Sequence, residues 1–274
     1  MSFWVPVIVA LFAWWFSTGL ILWVVKSTDH TSQAVRHRIV WGSLPLLAAG
    51  IFGYWVTLET NETYTAYGAF LSALAIWGWI ELAFLAGVIT GPNRHPCPAD
   101  RPEWERFIRA WGTIAYHEML LAAACITLFL TAWHSDNTFG MWTFGVLFFA
   151  RVSAKLNLFL GVPKINVDFL PETLSHLPSH FRFRALNWLF PVSVTALTFA
   201  VACWLERAAA AATPAELTGF ALLTAITALA LFEHWMMVLP IPDEKLWRWM
   251  MPSTRTEIHD PIATTKMKGG HHGL

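Results

Sequence analysis

The sequence predicts an all-α polytopic membrane protein, a bundle of seven transmembrane helices with its N-terminus outside and its C-terminus in the cytoplasm. Three observations predict it. Only 13% of the residues are charged while 56% are hydrophobic, where a soluble domain carries about 25% charged residues. Seven stretches of mainly apolar sequence are long enough to cross roughly 30 Å of hydrocarbon as helices. The connections between them alternate between basic and non-basic.

The first span, 3–25, begins almost at Met1 without a basic leader, so it reads as a membrane helix and not as a cleavable signal peptide. The second covers 39–58. The third, 66–90, holds Glu81, and the fourth, 110–133, holds His117 and Glu118. The fifth, 139–160, holds Arg151 and Lys155; the sixth covers 186–205; the seventh, 217–239, holds Glu233 and His234. Residues 1–240 thus form the membrane domain and 241–274 a polar tail, with paired histidines at His271 and His272. Seventeen Trp and twenty Phe suit lipid-facing and interfacial positions.

Orientation follows from where the cations lie. Of the 18 Lys and Arg, Arg151 and Lys155 fall within a span, and Arg207 lies in one of the short connections 59–65, 134–138 and 206–216. The other fifteen fall in segments 26–38, 91–109, 161–185 and the tail. Positive loops stay in the cytoplasm. Zero net charge gives no reason to expect nucleic acid, and three cysteines are too few for a disulfide framework.

The ionisable residues inside the spans carry the functional question, because each costs about 2.5–3.5 kcal/mol near a helix centre and so faces partners in the bundle interior. Glu81, His117, Arg151 and Glu233 lie at a common depth in the half of the bilayer nearer the basic loops. The pairs His117-Glu118 and Glu233-His234 are written in opposite order on antiparallel helices, so both read glutamate above histidine towards the cytoplasm. One reading is electrostatic glue, with Arg151, Lys155 and a partly protonated histidine balancing Glu81, Glu118 and Glu233. A second is a metal site drawn from Glu81, His117, Glu118, Glu233 and His234, or a haem- or bacteriochlorophyll-type tetrapyrrole ligated by His117 or His234. Adjacent residues point about 100° apart on a helix, so both members of a pair cannot easily aim at one point. A proton or ion pathway is the third. A retinal-binding pump is excluded, since residues 217–239 contain no lysine, and no glycine-rich phosphate loop, nucleophile elbow or HExxH pair occurs.

The fifth span runs through Arg151, Lys155 and Asn157 to Gly161 and Pro163, which stop the helix. Arg151 and Lys155 share a face at i,i+4. The loop that follows carries Phe169, Leu170, Leu174 and Leu177, which must be buried somewhere. Packing on the membrane surface, a cover over the polar cluster and a docking face for a partner are the options; surface packing and docking weigh about equally.

Several segments in order resemble one family: Thr90-Gly91-Pro92 through Pro96-Cys97-Pro98, Tyr116-His117-Glu118, Arg151 through Pro163, Phe169-Leu170-Pro171, Pro191-Val192-Ser193, and Glu233-His234-Trp235 through Leu239-Pro240, with Trp247 and Trp249 after them. The chain resembles the PuhE-type photosynthetic complex assembly proteins of purple phototrophic bacteria. That resemblance implies a protein of the bacterial inner membrane, encoded near the reaction-centre H subunit. It implies a role in building the reaction centre and core antenna, with their subunits as partners, or in bacteriochlorophyll supply. It implies no catalytic or ligand-binding residues. The expected function is therefore a non-enzymatic assembly factor; the alternative is an intramembrane metal- or pigment-binding protein, or an oxidoreductase, built on the Glu/His cluster.

Overall fold

The computed structural model describes residues 2–98, 100–165, 167 and 170–239; Phe169 and the tail 241–274 lie outside them. The described residues form eight α-helices: α1 (Trp4–Ser27), α2 (Gln33–Gly42), α3 (Leu44–Thr57), α4 (Thr63–Leu85), α5 (Glu103–Ala132), α6 (Phe139–Leu160), α7 (Leu189–Ala209) and α8 (Pro214–Met236). Helices α2 and α3 are two halves of one span, so seven helical segments are long and apolar enough to cross a membrane. The split has a local cause. Pro45, in the first turn of α3, has no N–H to continue the ladder, and the Ser43 hydroxyl closes the break by donating to the Val40 carbonyl.

Helices α4 and α8 form the hub. About two thirds of each is buried, against a third or less of every other span, and the two pack on each other and both on α1 and α6. Their sequences permit it: Ala66, Ala69 and Ala73 on α4, and Ala215, Ala221, Ala225 and Ala230 on α8, are all buried. Small residues let helix backbones approach closely where lipid supplies no hydrophobic drive. Helix α8 starts at a capping box, with Pro214 in the first turn, the Glu216 N–H donating to the Thr213 hydroxyl and Glu216 Oε2 accepting from the Thr213 N–H. The outer helices carry the aromatics on their free faces, among them Trp4, Phe12, Phe16 and Trp23 of α1 and Phe52 and Trp55 of α3.

Three helix boundaries differ from the expected spans by five residues or more. Helix α2 begins at Gln33, six residues before the expected start at 39. Helix α4 stops at Leu85, not near 90, because the N–H groups of Val88 and Ile89 both turn back to the Ala83 carbonyl. Helix α5 starts at Glu103, seven residues early, since Pro102 occupies its N-cap position. Gly161 ends α6 as expected, at φ 117°, a conformation that glycine adopts without strain.

The ends of the bundle are unlike. At one end the connections are short. At the other, the basic end, the 161–188 loop crosses the bundle and is tied to it at several points. Lys26 Nζ donates to the Leu170 carbonyl, the Glu172 N–H to Asp29, the Cys97 N–H to the Ser179 hydroxyl, and Arg182 to both oxygens of Glu103. The loop's own structure is two 3-10 turns, Glu172–Leu174 and Leu177–His180, and a parallel bridge between Val162 and Phe183.

Candidate functional site

Among the described residues, the candidate ionisable groups of the spans other than Glu233 fall, with the groups they contact, into two clusters in the half of the bundle nearer the basic end. The first is ionic and joins α4, α5 and α6. Arg151 on α6 donates through Nη2 to Glu81 Oε2 on α4 at 2.9 Å. One turn further along α6, Lys155 forms a close ion pair with Glu118 Oε1 on α5. The i,i+4 spacing of the two cations therefore stitches one face of α6 to two neighbouring helices. Three of the four groups are well buried, while the Arg151 side chain is 37% exposed. A half-exposed cation gains less from its partner than an enclosed one, so the Lys155–Glu118 pair is the stronger constraint.

His117 precedes Glu118 on α5 and points elsewhere. Its side chain is fully buried, its ring stacks on Phe84 of α4 with centroids 4.3 Å apart, and Nε2 lies 3.7 Å from Glu81 Oε1. That separation is too long for a hydrogen bond. Both ring nitrogens and Glu81 Oε1 are thus buried with no hydrogen-bond partner among the described residues. Such groups are costly to bury. The Lys155 ammonium lies 5.3 Å from the centre of the same Phe84 ring, within cation–π range.

The backbone around His117 is equally unusual. After α4 the chain does not leave the bundle but runs back along α5. The Asn93 N–H and side-chain amide donate to the carbonyls of Gly112 and Arg109, and the His117 N–H donates to the Thr90 carbonyl at 3.0 Å. Non-helical backbone at this depth needs such partners within the protein. Gly91 makes the approach possible, because a Cβ there would collide with the Gly112 carbonyl oxygen.

The second cluster is neutral and joins α6, α7 and α8. His234 is 1% exposed; its Nδ1 lies 2.8 Å from the Ala230 carbonyl and its Nε2 2.9 Å from the Ser153 hydroxyl. A carbonyl only accepts, so Nδ1 carries the proton and Nε2 accepts from Ser153. The Ser153 and Ser193 hydroxyls are 2.8 Å apart, and Asn157 Nδ2 donates to both the Ser153 carbonyl and Ser193 Oγ. Asn187 extends the network to the carbonyls of Asn157 and Gly161, and its Oδ1 caps the start of α7.

The five Glu and His candidates do not converge. Glu81 and His117 come within 4 Å of each other, Glu118 is engaged with Lys155, His234 belongs to the neutral network, and Glu233 is exposed at the bundle surface. Among the described residues, no group of three or more His, Cys, Asp and Glu is placed to hold a metal ion. Glu233 nonetheless lies close enough to Arg151 and Glu81 to act on both electrostatically.

The loop leucines pack on Phe84, the ring that His117 and Lys155 also approach. Leu174 and Leu177 are buried against Phe84, with Leu85, Ile114, Leu170 and Phe181 packed around them. Neither the membrane surface nor an open docking face takes them. Phe84, Thr90, Ser153, Asn187 and Ser193 are the participants that charge-based reading passes over. The signal for Ser153 and Ser193 was an isolated hydroxyl on an apolar helix, which in a membrane span seeks a cross-helix partner.

Comparison with known proteins places this site in a family. The family described as a protein of unknown function (DUF3623) matches residues 1–258. The chain belongs to it. A DUF3623 relative from Rhodobacter capsulatus, described as an uncharacterized 30.4 kDa protein in the puhA 5′ region, is 53% identical over 261 residues, covering 95% of this chain and 94% of its own. No solved structure matches the DUF3623 chain.

Proposed function

We propose that this DUF3623 protein is a membrane assembly factor for a photosynthetic reaction centre and its core antenna. It would act in the inner membrane of a phototrophic bacterium, with its N-terminus outside and its basic end in the cytoplasm. The observation that carries this reading is the position of the Rhodobacter capsulatus relative in the puhA 5′ region, a photosynthesis gene neighbourhood, at 53% identity. The structure is compatible with it: the described ion pairs inside the bundle link its own helices, and the outer faces of α1 and α3 offer aromatic surface to lipid or to another membrane protein. The basic loops hold fifteen of the 18 cations, which supports the orientation.

A second reading is favoured by one observation, the two unpartnered nitrogens of His117 beside Glu81. His117 Nε2 and Glu81 Oε1, 3.7 Å apart, offer two ligands towards a metal, with the remaining positions left to other donors. A tetrapyrrole on His117 is a poorer fit, because the ring is wholly enclosed and already stacked on Phe84.

The test is purification in mild detergent from native photosynthetic membranes, alongside a His117→Ala variant, with absorption spectra and elemental analysis. Reaction-centre or antenna subunits that co-purify with both proteins, without stoichiometric metal or pigment, support the assembly factor. Metal or pigment held by the wild type and lost in the variant overturns it in favour of the second reading.

A further inference from the structure

The basic end holds a second set of unpartnered polar groups, separate from the ionic cluster. The start of α2, the α4–α5 connection and the first 3-10 turn of the loop enclose a cavity of about 210 Å³. Gln33, Arg36, Arg94, Thr173 and His176 line it, and no carboxylate does. His176 is only 9% exposed, yet among the described residues its buried Nε2 has no hydrogen-bond partner, and neither has Thr173 Oγ1. Two arginines therefore stand beside two buried groups, each able to donate a hydrogen bond to a ligand.

The arginines are not used up by the fold. Arg36 donates one N–H to the Thr31 carbonyl, which leaves most of the five donors of a guanidinium. Arg94 is exposed, and it lies near enough to His176 to act on it electrostatically. Burial first, and then the charges of Arg94 and His95, hold the His176 imidazole below its ordinary range. Asp29 and Glu172, the nearest carboxylates, line an adjacent cavity that shares Arg36 and Thr173. Asp29 accepts from the Glu172 N–H and lies 3.8 Å from the Lys26 ammonium, while the exposed Glu172 carboxylate lies 3.8 Å from His30 Nδ1.

We propose that this cavity is a binding site for a phosphate-bearing anion, gripped by Arg36 and Arg94 and oriented by Thr173 and His176. Planar guanidinium groups match phosphate oxygens in pairs, and the two buried donors supply the short polar contacts that fix orientation. The same chemistry serves a free phosphate and the headgroup of an anionic phospholipid.

The full chain, delipidated in neutral detergent, is titrated calorimetrically with inorganic phosphate. In parallel, native mass spectrometry follows protein reconstituted in vesicles containing phosphatidylglycerol and then re-extracted. Arg94→Gln and Thr173→Val are carried through both arms, with thermal unfolding in phosphate-free buffer confirming that each is folded. Saturable one-to-one binding, weakened roughly tenfold in either variant, is expected from the loss of one hydrogen bond to a charged group. Phosphatidylglycerol that survives extraction and blocks inorganic phosphate identifies a headgroup site. Inorganic phosphate bound by protein that retains no lipid identifies a free anion. Absence of saturable binding in both arms, or binding unchanged in both folded variants, overturns the proposal.

Discussion

His117 and His234 occupy similar positions in the sequence pattern and opposite ones in the structure. Each is next to a glutamate on a membrane helix, at similar depth, and each is almost wholly buried. His234 has both nitrogens engaged, and its neighbours Ser153, Asn157 and Ser193 are bonded to one another across three helices. Among the described residues, His117 has neither nitrogen engaged, and its neighbours are ions and an aromatic ring. A satisfied neutral network fixes a tautomer and holds helices in register. An unsatisfied imidazole beside two ion pairs is a place where the protein tolerates cost, and such places concentrate at functional sites. The difference makes His117 the first residue to test for function, with His234 as its comparison.

The largest effect belongs to the ion pair that frames the His117 side. Lys155→Met leaves the Glu118 carboxylate buried without its cation, at a cost of about 3–5 kcal/mol. Lys155→Met with Glu118→Gln removes both charges and recovers most of that loss. A double-mutant cycle by thermal unfolding in detergent checks it. If the single variants each lose little and the losses simply add, the pair does not fix α6 against α5. Because Arg151 is partly exposed, Arg151→Met is expected to lose less than Lys155→Met.

The backbone insertion beside His117 gives a smaller effect that the His234 side has no counterpart for. Gly91→Ala places a methyl group against the Gly112 carbonyl, and neither backbone is free to yield. Overpacking of this kind costs about 1–3 kcal/mol. The expected signature is faster hydrogen exchange at the amides of Asn93 and His117, with those around His234 unchanged. Equal protection in the variant would show that the 90–93 segment does not hold α5 in place.

The fold was largely legible because it rests on long signals. Seven apolar runs and a lopsided distribution of cations define it, and single residues hardly matter to either. Break points were less legible, since they depend on local groups: Pro45 splitting one span, Pro102 capping another early, and the Ala83 carbonyl ending α4. At the site, the i,i+4 pair of Arg151 and Lys155 and the divergence of His117 from Glu118 follow from helix geometry alone. Which carboxylate each cation meets does not, because that depends on helix rotation set by packing. The symmetry of the two Glu/His pairs was misleading for the same reason: rotation sends Glu233 to the surface while Glu81 and Glu118 go inward. The loop leucines were visible as apolar residues needing burial, but their target, Phe84, looked like one more lipid-facing aromatic.

The smallest stability effect sharpens the comparison most. Phenylalanine keeps a planar ring but overpacks both enclosed sites alike, so the difference between His117→Phe and His234→Phe reads hydrogen bonding. His117 loses no hydrogen bond on replacement. His234 loses two, with the Ser153 hydroxyl left to Ser193 alone. His234→Phe is therefore expected to be about 1 kcal/mol less stable than His117→Phe, read from unfolding of the two purified variants. The functional readout runs the other way. In a strain whose own copy is replaced, near-infrared absorption of assembled reaction centre and core antenna should fall with His117→Phe at normal protein level. With His234→Phe it should fall only as far as the protein level does. A His117→Phe strain with full photosynthetic complexes would make the unpartnered imidazole a packing element, leaving the outer surface and the loop end to carry the function.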